Sequence, residues 1–240
     1  MFLVTNHINK LGSFNLKCMR VYIVGVGPGN PEYITERVKK IVEKSDIIVG
    51  YRYTVNTIKH LINGKDVRYV TLKDQEEVYA KVLEEIRDTD KICTIPFTGD
   101  ANFSESEITD RLREIFGDAN TIIEPGISSI QIAASRSKVG LDKSKIITFH
   151  ITGNIDKEKK QLLDALKDGE NVIMLPRPWD FMPKDVSEFI MKNGIDAKEY
   201  DVDIYERLTL DDERVTKTRL DSIPDKDYSD LTVMVIRKRA

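Results

Sequence analysis

Apolar runs of two different periods alternate along this chain. Val21-Tyr22-Ile23-Val24 is β-branched and aromatic, the composition of a buried strand, and it passes into Gly25-Val26-Gly27-Pro28-Gly29-Asn30. Behind that loop Ile34, Val38, Ile41 and Val42 recur at helical spacing, with Asn30 as candidate N-cap and Pro31 suited to the first turn. The alternation continues with a strand from Asp46 to Val49, a helix from Thr54 to Ile62 closed by Asn63-Gly64, and a short strand from Val67 to Val70. Val78, Val82, Leu83 and Ile86 form the next helical face, and Ile92 to Pro96 the next strand. Ile108, Leu112, Ile115 and Phe116 follow at helical spacing, then a strand from Thr121 to Ile123, then a helix through Ile130 and Ala134. Such alternation predicts an α/β fold with a mostly parallel sheet covered by helices.

Three of the predicted strands end in glycine-bearing turns: Gly25 to Asn30, Phe97-Thr98-Gly99-Asp100-Ala101-Asn102-Phe103-Ser104, and Glu124-Pro125-Gly126-Ile127-Ser128-Ser129. Open α/β sheets bind ligands at the carboxyl ends of their strands, so these turns are the candidate site. The first is a poor dinucleotide fingerprint. Its third glycine would fall at Asn30, and the acidic residue expected about 20 positions on would be Asp46, which opens a strand instead of closing it. A tight strand–helix turn without a ligand is the other reading of this loop taken alone. Ser104 and Glu107 have capping-box spacing, Asp100 is suited to bonding its own turn, and Ser128 or Ser129 can cap the following helix. A hydrolase triad is disfavoured, since no G-x-S-x-G elbow is present.

Composition narrows the classes further. The 240 residues suffice for one large or two small domains, and the formal charge of −3 carries no electrostatic footprint for nucleic acid. No apolar run approaches the ~18 residues of a membrane span. Two cysteines and three histidines make neither a disulfide framework nor a metal cage, and Cys93 reads as strand packing. A cytoplasmic location is expected. Met1 to Cys18 has weak periodicity and lacks the apolar core of a signal peptide. It reads as a loose extension or as an overlong translation start, with Met19 as the alternative start.

The order V-G-V-G-P-G-N, T-G-D and E-P-G-I-S-S-I-Q resembles the tetrapyrrole methylases, which build corrins and siroheme with S-adenosylmethionine (SAM). Phe149-His150-Ile151-Thr152-Gly153-Asn154 stands where the corrin C5 methylases carry a histidine–glycine turn, and Tyr205 to Val215 resembles their E-x-L-x-x-x-x-E-R-V segment. The resemblance runs from about Arg20 to the C-terminus. Two departures stand out: Ala101 replaces the proline that usually follows Gly-Asp, and the histidine turn reads H-I-T-G instead of H-G.

The resemblance implies two α/β domains with the SAM cleft between them: an extension over 1–19, an N-terminal domain over 20–123 and a C-terminal domain over 124–240. The second domain then holds strands near Ile146 to Ile151, Val172 to Leu175, Glu199 to Tyr205 and Leu231 to Ile236. Its helices carry Leu162, Leu163 and Leu166, then Val186, Phe189 and Ile190 with a stop at Asn193-Gly194, and Asp211 to Leu220 alternates like a hairpin arm.

By the same resemblance SAM contacts fall on Pro28, Thr98, Gly99, Asp100, Phe103, Ser128, Ser129, Leu175, Glu206, Arg207 and Leu208, many of them through backbone. The implied reaction is methyl transfer to C5 of cobalt-precorrin-7, with no metal required for that step. A different ring carbon, diphthine synthesis, or a non-catalytic corrinoid-binding module are the alternatives. Asp100 and His150 are the candidate proton acceptors, a buried structural histidine being the other reading of His150. Arg52, Arg136 and Arg177 are candidates for the acceptor's carboxylates, each set against an ordinary surface arginine. Trp179 could stack on a flat macrocycle or merely anchor its loop. A homodimer, and contact with a separate C15-methylating decarboxylase, are the partners the family suggests.

Overall fold

The computed structural model describes residues 19–239, so the expected extension and the alternative start fall outside the described residues. Two five-stranded sheets make up the chain. The first contains β1 (Arg20–Gly25), β2 (Ile47–Tyr51), β3 (Asp66–Val70), β4 (Ile92–Phe97) and β5 (Thr121–Glu124) in the order β3-β2-β4-β1-β5. Every pairing in it is parallel. The second contains β6 (Ser144–Thr148), β7 (Asn171–Leu175), β8 (Tyr200–Glu206), β9 (Arg214–Arg219) and β10 (Thr232–Lys238) in the order β6-β7-β10-β8-β9. Only β6 and β7 run parallel there; the other pairs are antiparallel.

The helices follow the apolar stripes, with shifts that local chemistry explains. Helix α1 (Glu36–Lys44) turns Val38, Ile41 and Val42 inward, and its N-cap is Thr35, whose hydroxyl accepts from the Val38 N–H at 3.2 Å. Asn30 instead caps the short 3-10 turn Pro31–Tyr33, accepting from the Glu32 N–H. The helix expected over Thr54 to Ile62 is split into α2 (Arg52–Thr57) and a 3-10 turn (Lys59–Leu61), because Ile58 leaves helical geometry at φ −103°. After α3 (Gln75–Ile86) comes α4 (Ser106–Phe116).

The expected capping box at Ser104 and Glu107 does not form. Ser104 has φ +74°, whereas an N-cap needs an extended backbone, and its hydroxyl bonds Thr148 Oγ1 at 2.9 Å instead. Helix α5 (Ser129–Ser137) begins with a complete capping box of Ser128 and Gln131. It lays Ile130, Ala133 and Ala134 against Ile173, Tyr205, Val233 and Val235 of the second sheet. The chain therefore changes sheets between Glu124 and Ser129. Helices α6 (Asp156–Lys167) and α7 (Pro183–Lys192) cover the other face of that sheet through Leu162, Leu166, Val186 and Ile190.

The arm after β8 is built by its own charged residues. Arg207 and Thr209 take left-handed backbone angles (φ +53° and +72°), costly for a β-branched threonine. What holds them is a set of bonds within the arm and one to helix α5. Glu213 accepts from the Thr209 N–H at 2.6 Å, and its other oxygen pairs with Arg136; Arg207 pairs with Asp212 at 2.6 Å. At the base of the arm Glu206 is wholly buried, and Arg214, Lys226 and the Ser229 N–H all donate to its carboxylate. The alternating segment then pairs as β9, antiparallel to β8.

Candidate functional site

The strand order places the site. β4, β1 and β5 are neighbours, so the turns at their carboxyl ends must meet. They meet at backbone level. The Gly99 N–H donates to the Gly27 carbonyl at 2.7 Å, and the Gly27 N–H returns the bond at 3.3 Å. A Cβ added to Gly25 would lie 2.5 Å from the Gly99 oxygen and 2.6 Å from the Gly126 nitrogen. No side chain fits at Gly25 or Gly126 without moving the main chain of another turn. Glycine is needed here so that three backbones can interlock and present their edges to one crevice.

The second half closes that crevice. The Asn30 N–H donates to Thr209 Oγ1 at 3.1 Å, Ser104 bonds Thr148, and Thr152 donates to Glu107 at 3.1 Å. Between the halves lie two adjoining cavities. The narrower, about 130 Å³, is lined by Pro28, Thr98, Gly99, Asp100, Phe103, Ser128, Ser129, His150, Leu175 and Leu208 from the expected set. The strand-end rule and the family resemblance had pointed to these residues, and the strand-end rule to Ser104 beside them; Glu105 and Asp230 to Val233 line it as well, and no sequence signal marked them as site residues. The wider trough, about 710 Å³, runs from Tyr51, Leu72 and Gln75 along the start of α4 to His150, Ile151 and Thr152. Phe103, Ser104, Glu105 and His150 border both.

Several candidates stand elsewhere. Glu206 and Arg207 line neither cavity; Glu206 spends its carboxylate on the arm that presents Leu208. Arg52 packs its guanidinium 4.2 Å over the Tyr69 ring, Arg136 pairs with Glu213, and Arg177 is buried against Asp180 and the Gly153 carbonyl. None of the three borders the cavities, whereas Arg111 borders the trough. Trp179 stands out from the surface at 65% exposure, away from both cavities.

The electrostatics of the narrow cavity favour a cation. Asp100, Glu105 and Asp230 supply carboxylates, and among the described residues no lysine or arginine lines it. A phosphate-bearing ligand would meet like charge there, while a sulfonium bearing an ammonium group meets opposite charge. Asp100 Oδ1 accepts from both the backbone and side-chain N–H groups of Asn102, the self-bonded turn expected of it. Burial pushes the His150 imidazole below its usual range, with the Pro176 carbonyl and the Asp230 carboxylate pulling the other way. Its Nε2 is buried without a partner among the described residues, an orphan polar atom at the border of the two cavities.

A parallel α/β sheet whose strand-end turns face a second, mixed sheet across a ligand-sized cleft is the architecture on the page. The chain belongs to the family of tetrapyrrole (corrin/porphyrin) methylases, whose profile matches residues 20–224. It is 34% identical over 220 residues to the probable cobalt-precorrin-7 C(5)-methyltransferase of Methanocaldococcus jannaschii, covering 90% of this chain and 96% of that protein. The crystal structure of the precorrin-6Y methylase of cobalamin biosynthesis from Archaeoglobus fulgidus is similar with TM-score 0.66 and 26% identity. That match covers 92% of this chain and 99% of that one. A cobalt-precorrin-4 methyltransferase structure shares the fold at TM-score 0.71 and 19% identity, over 91% and 94% of the two chains. No helix among the described residues is long and apolar enough to cross a membrane.

Proposed function

We propose that the chain is a SAM-dependent C-methyltransferase that methylates C5 of cobalt-precorrin-7 in cobalamin biosynthesis. The observation that carries this reading is the interlocking of Gly25, Gly99 and Gly126, which aims three backbone edges into one carboxylate-lined crevice beside a broad trough. Methyl transfer is an in-line displacement, and its main demand is alignment of donor and acceptor. A narrow donor cavity opening onto a wide acceptor trough meets that demand. In this reading Pro28, Gly99 and Ser128 hold SAM by backbone, with Thr98 and Ser129 offering hydroxyls. Phe103, Leu175 and Leu208 pack its apolar faces, and Asp100 and Asp230 offset its positive charge. His150, at the border, offers its unpartnered Nε2 to the macrocycle. Likeness to the Methanocaldococcus jannaschii relative supports the choice of C5. The domain boundary after Ile123, a homodimer and a separate C15-methylating decarboxylase as partner belong to the same proposal.

The test is incubation of purified protein with methyl-labelled SAM and cobalt-precorrin-7. Label at C5 of the macrocycle is the expected result. Label at another carbon corrects the position, label on elongation factor moves the chain to the diphthine branch, and binding without transfer makes it a non-catalytic module.

A further inference from the structure

Glu105 is the one half-buried acid of this cleft that the local structure leaves idle among the described residues. It occupies the N-cap position of α4, where the short side chains of Asp, Asn, Ser or Thr cap best, and its longer side chain makes no capping bond, which leaves the carboxylate free of the helix end. It borders both the narrow cavity and the trough, so it stands where a transferred methyl group must pass from one to the other. The titratable groups that border the same cavities are Tyr51, Asp100, Glu107, Arg111, His150 and Asp230. Arg111 is engaged with Glu76 at 3.0 Å, Glu107 accepts from Thr152, and Asp100 is bonded to Asn102.

We propose that Glu105 is the catalytic base that takes up the proton released when the macrocycle is methylated; this rests on the methyltransferase reading above. The balance is simple. A carbon–carbon bond forms between the methyl group and the ring carbon as the carbon–sulfur bond breaks, and that electron pair returns to sulfur. The ring carbon then carries both hydrogen and methyl. Its C–H electron pair restores the conjugated system, and the proton moves to the Glu105 carboxylate. The positive charge that leaves the sulfonium ends as this proton. Burial alone pushes the Glu105 carboxyl up to about 7, in the range where a base is both ionised and a good acceptor near neutral pH. His150 has the opposite displacement and is the weaker acceptor.

The test compares wild type, Glu105→Gln, Glu105→Asp and His150→Gln for methyl transfer between pH 5.5 and 9, alongside SAM affinity by calorimetry. Carbon-13 NMR of labelled glutamate carboxyls follows the titration itself. Glu105→Gln should lower kcat at saturating SAM by about 100-fold or more, beyond any loss of SAM affinity, and should flatten the acidic limb of the pH profile. Glu105→Asp should recover part of the rate together with its pH dependence. One carboxyl resonance should titrate near neutrality in the SAM-free protein and vanish in Glu105→Gln. Wild-type protein that transfers no methyl group overturns the parent reading and this inference together. Active wild type with an equally active Glu105→Gln, or with the pH dependence lost only in His150→Gln, overturns the role of Glu105 alone.

Discussion

Replacing Gly126 by alanine probes the convergence of the three turns with a single methyl group. The added Cβ would fall against the Gly99 carbonyl oxygen, 2.5 Å from the Gly25 oxygen and 2.6 Å from the Gly25 carbonyl carbon. All three are main-chain atoms of strand-end turns, so no side chain can rotate aside. To restore an ordinary 3.4 Å contact the turns must part by about 1 Å. Overpacking of this kind costs about 1–3 kcal/mol. For a chain of this length that corresponds to a fall in Tm of about 3–10 °C. A displacement near 1 Å in a positioning element costs about 100-fold in rate.

Calorimetric melting measures the first effect and a methyl-transfer assay the second, while SAM titration of the same sample reports whether the crevice keeps its shape. Gly64→Ala is the control: nothing lies within 4 Å of the added atom, Gly64 borders neither cavity, and, unlike Gly126, it has φ +75°, so only its own backbone is strained. That variant should lose about 1 kcal/mol of stability and bind SAM normally. If Gly126→Ala melts and binds SAM as wild type does, the interlocking is not what shapes the crevice.

Glu105→Gln should also change stability, in a pH window of its own. The folded-state pKa of about 7 lies above the ordinary carboxylate value of 4.5, so the wild-type carboxyl favours folding fully only below that ordinary value and loses this as pH rises through 7. The variant should therefore be more stable than wild type by roughly 1–3 kcal/mol at pH 8 and equal to it at pH 4, read by urea unfolding; a difference that does not vary with pH removes the burial argument. Glu206→Leu should cost about 2–3 kcal/mol, since it strips the buried acceptor from Arg214, Lys226 and the Ser229 N–H while the two cations can rehydrate. It should also weaken SAM binding through Leu208; a loss under about 0.5 kcal/mol contradicts the anchoring role assigned to Glu206.

The strands and their order along the chain were legible because β-branched runs and glycine turns are local signals. Strand-end ligand binding then pointed to the three turns, and the sheet order makes those turns neighbours. Helix starts were less legible. Ser104 and Glu107 match a capping pattern, but a long-range bond to Thr148 draws Ser104 out of it. Arg136 and Arg177 look free in the sequence and are held by Glu213 and Asp180 in the fold. Glu105 and Asp230 were invisible as site residues because nothing local marks them. One is an N-cap that does not cap and the other sits ahead of β10, and only the closing of one sheet over the other brings both to the cleft.

The central claim is that the cavity lined by Pro28, Gly99 and Ser128, where the three interlocked turns open, receives SAM, and a crystal structure with S-adenosylhomocysteine, the demethylated product, tests it most directly. The account predicts the ligand lying along Gly99 and the Ser128 cap, with its sulfur facing the trough that Glu105 and His150 border. Ligand density at any other place on the protein, with this crevice filled only by ordered water, would contradict it.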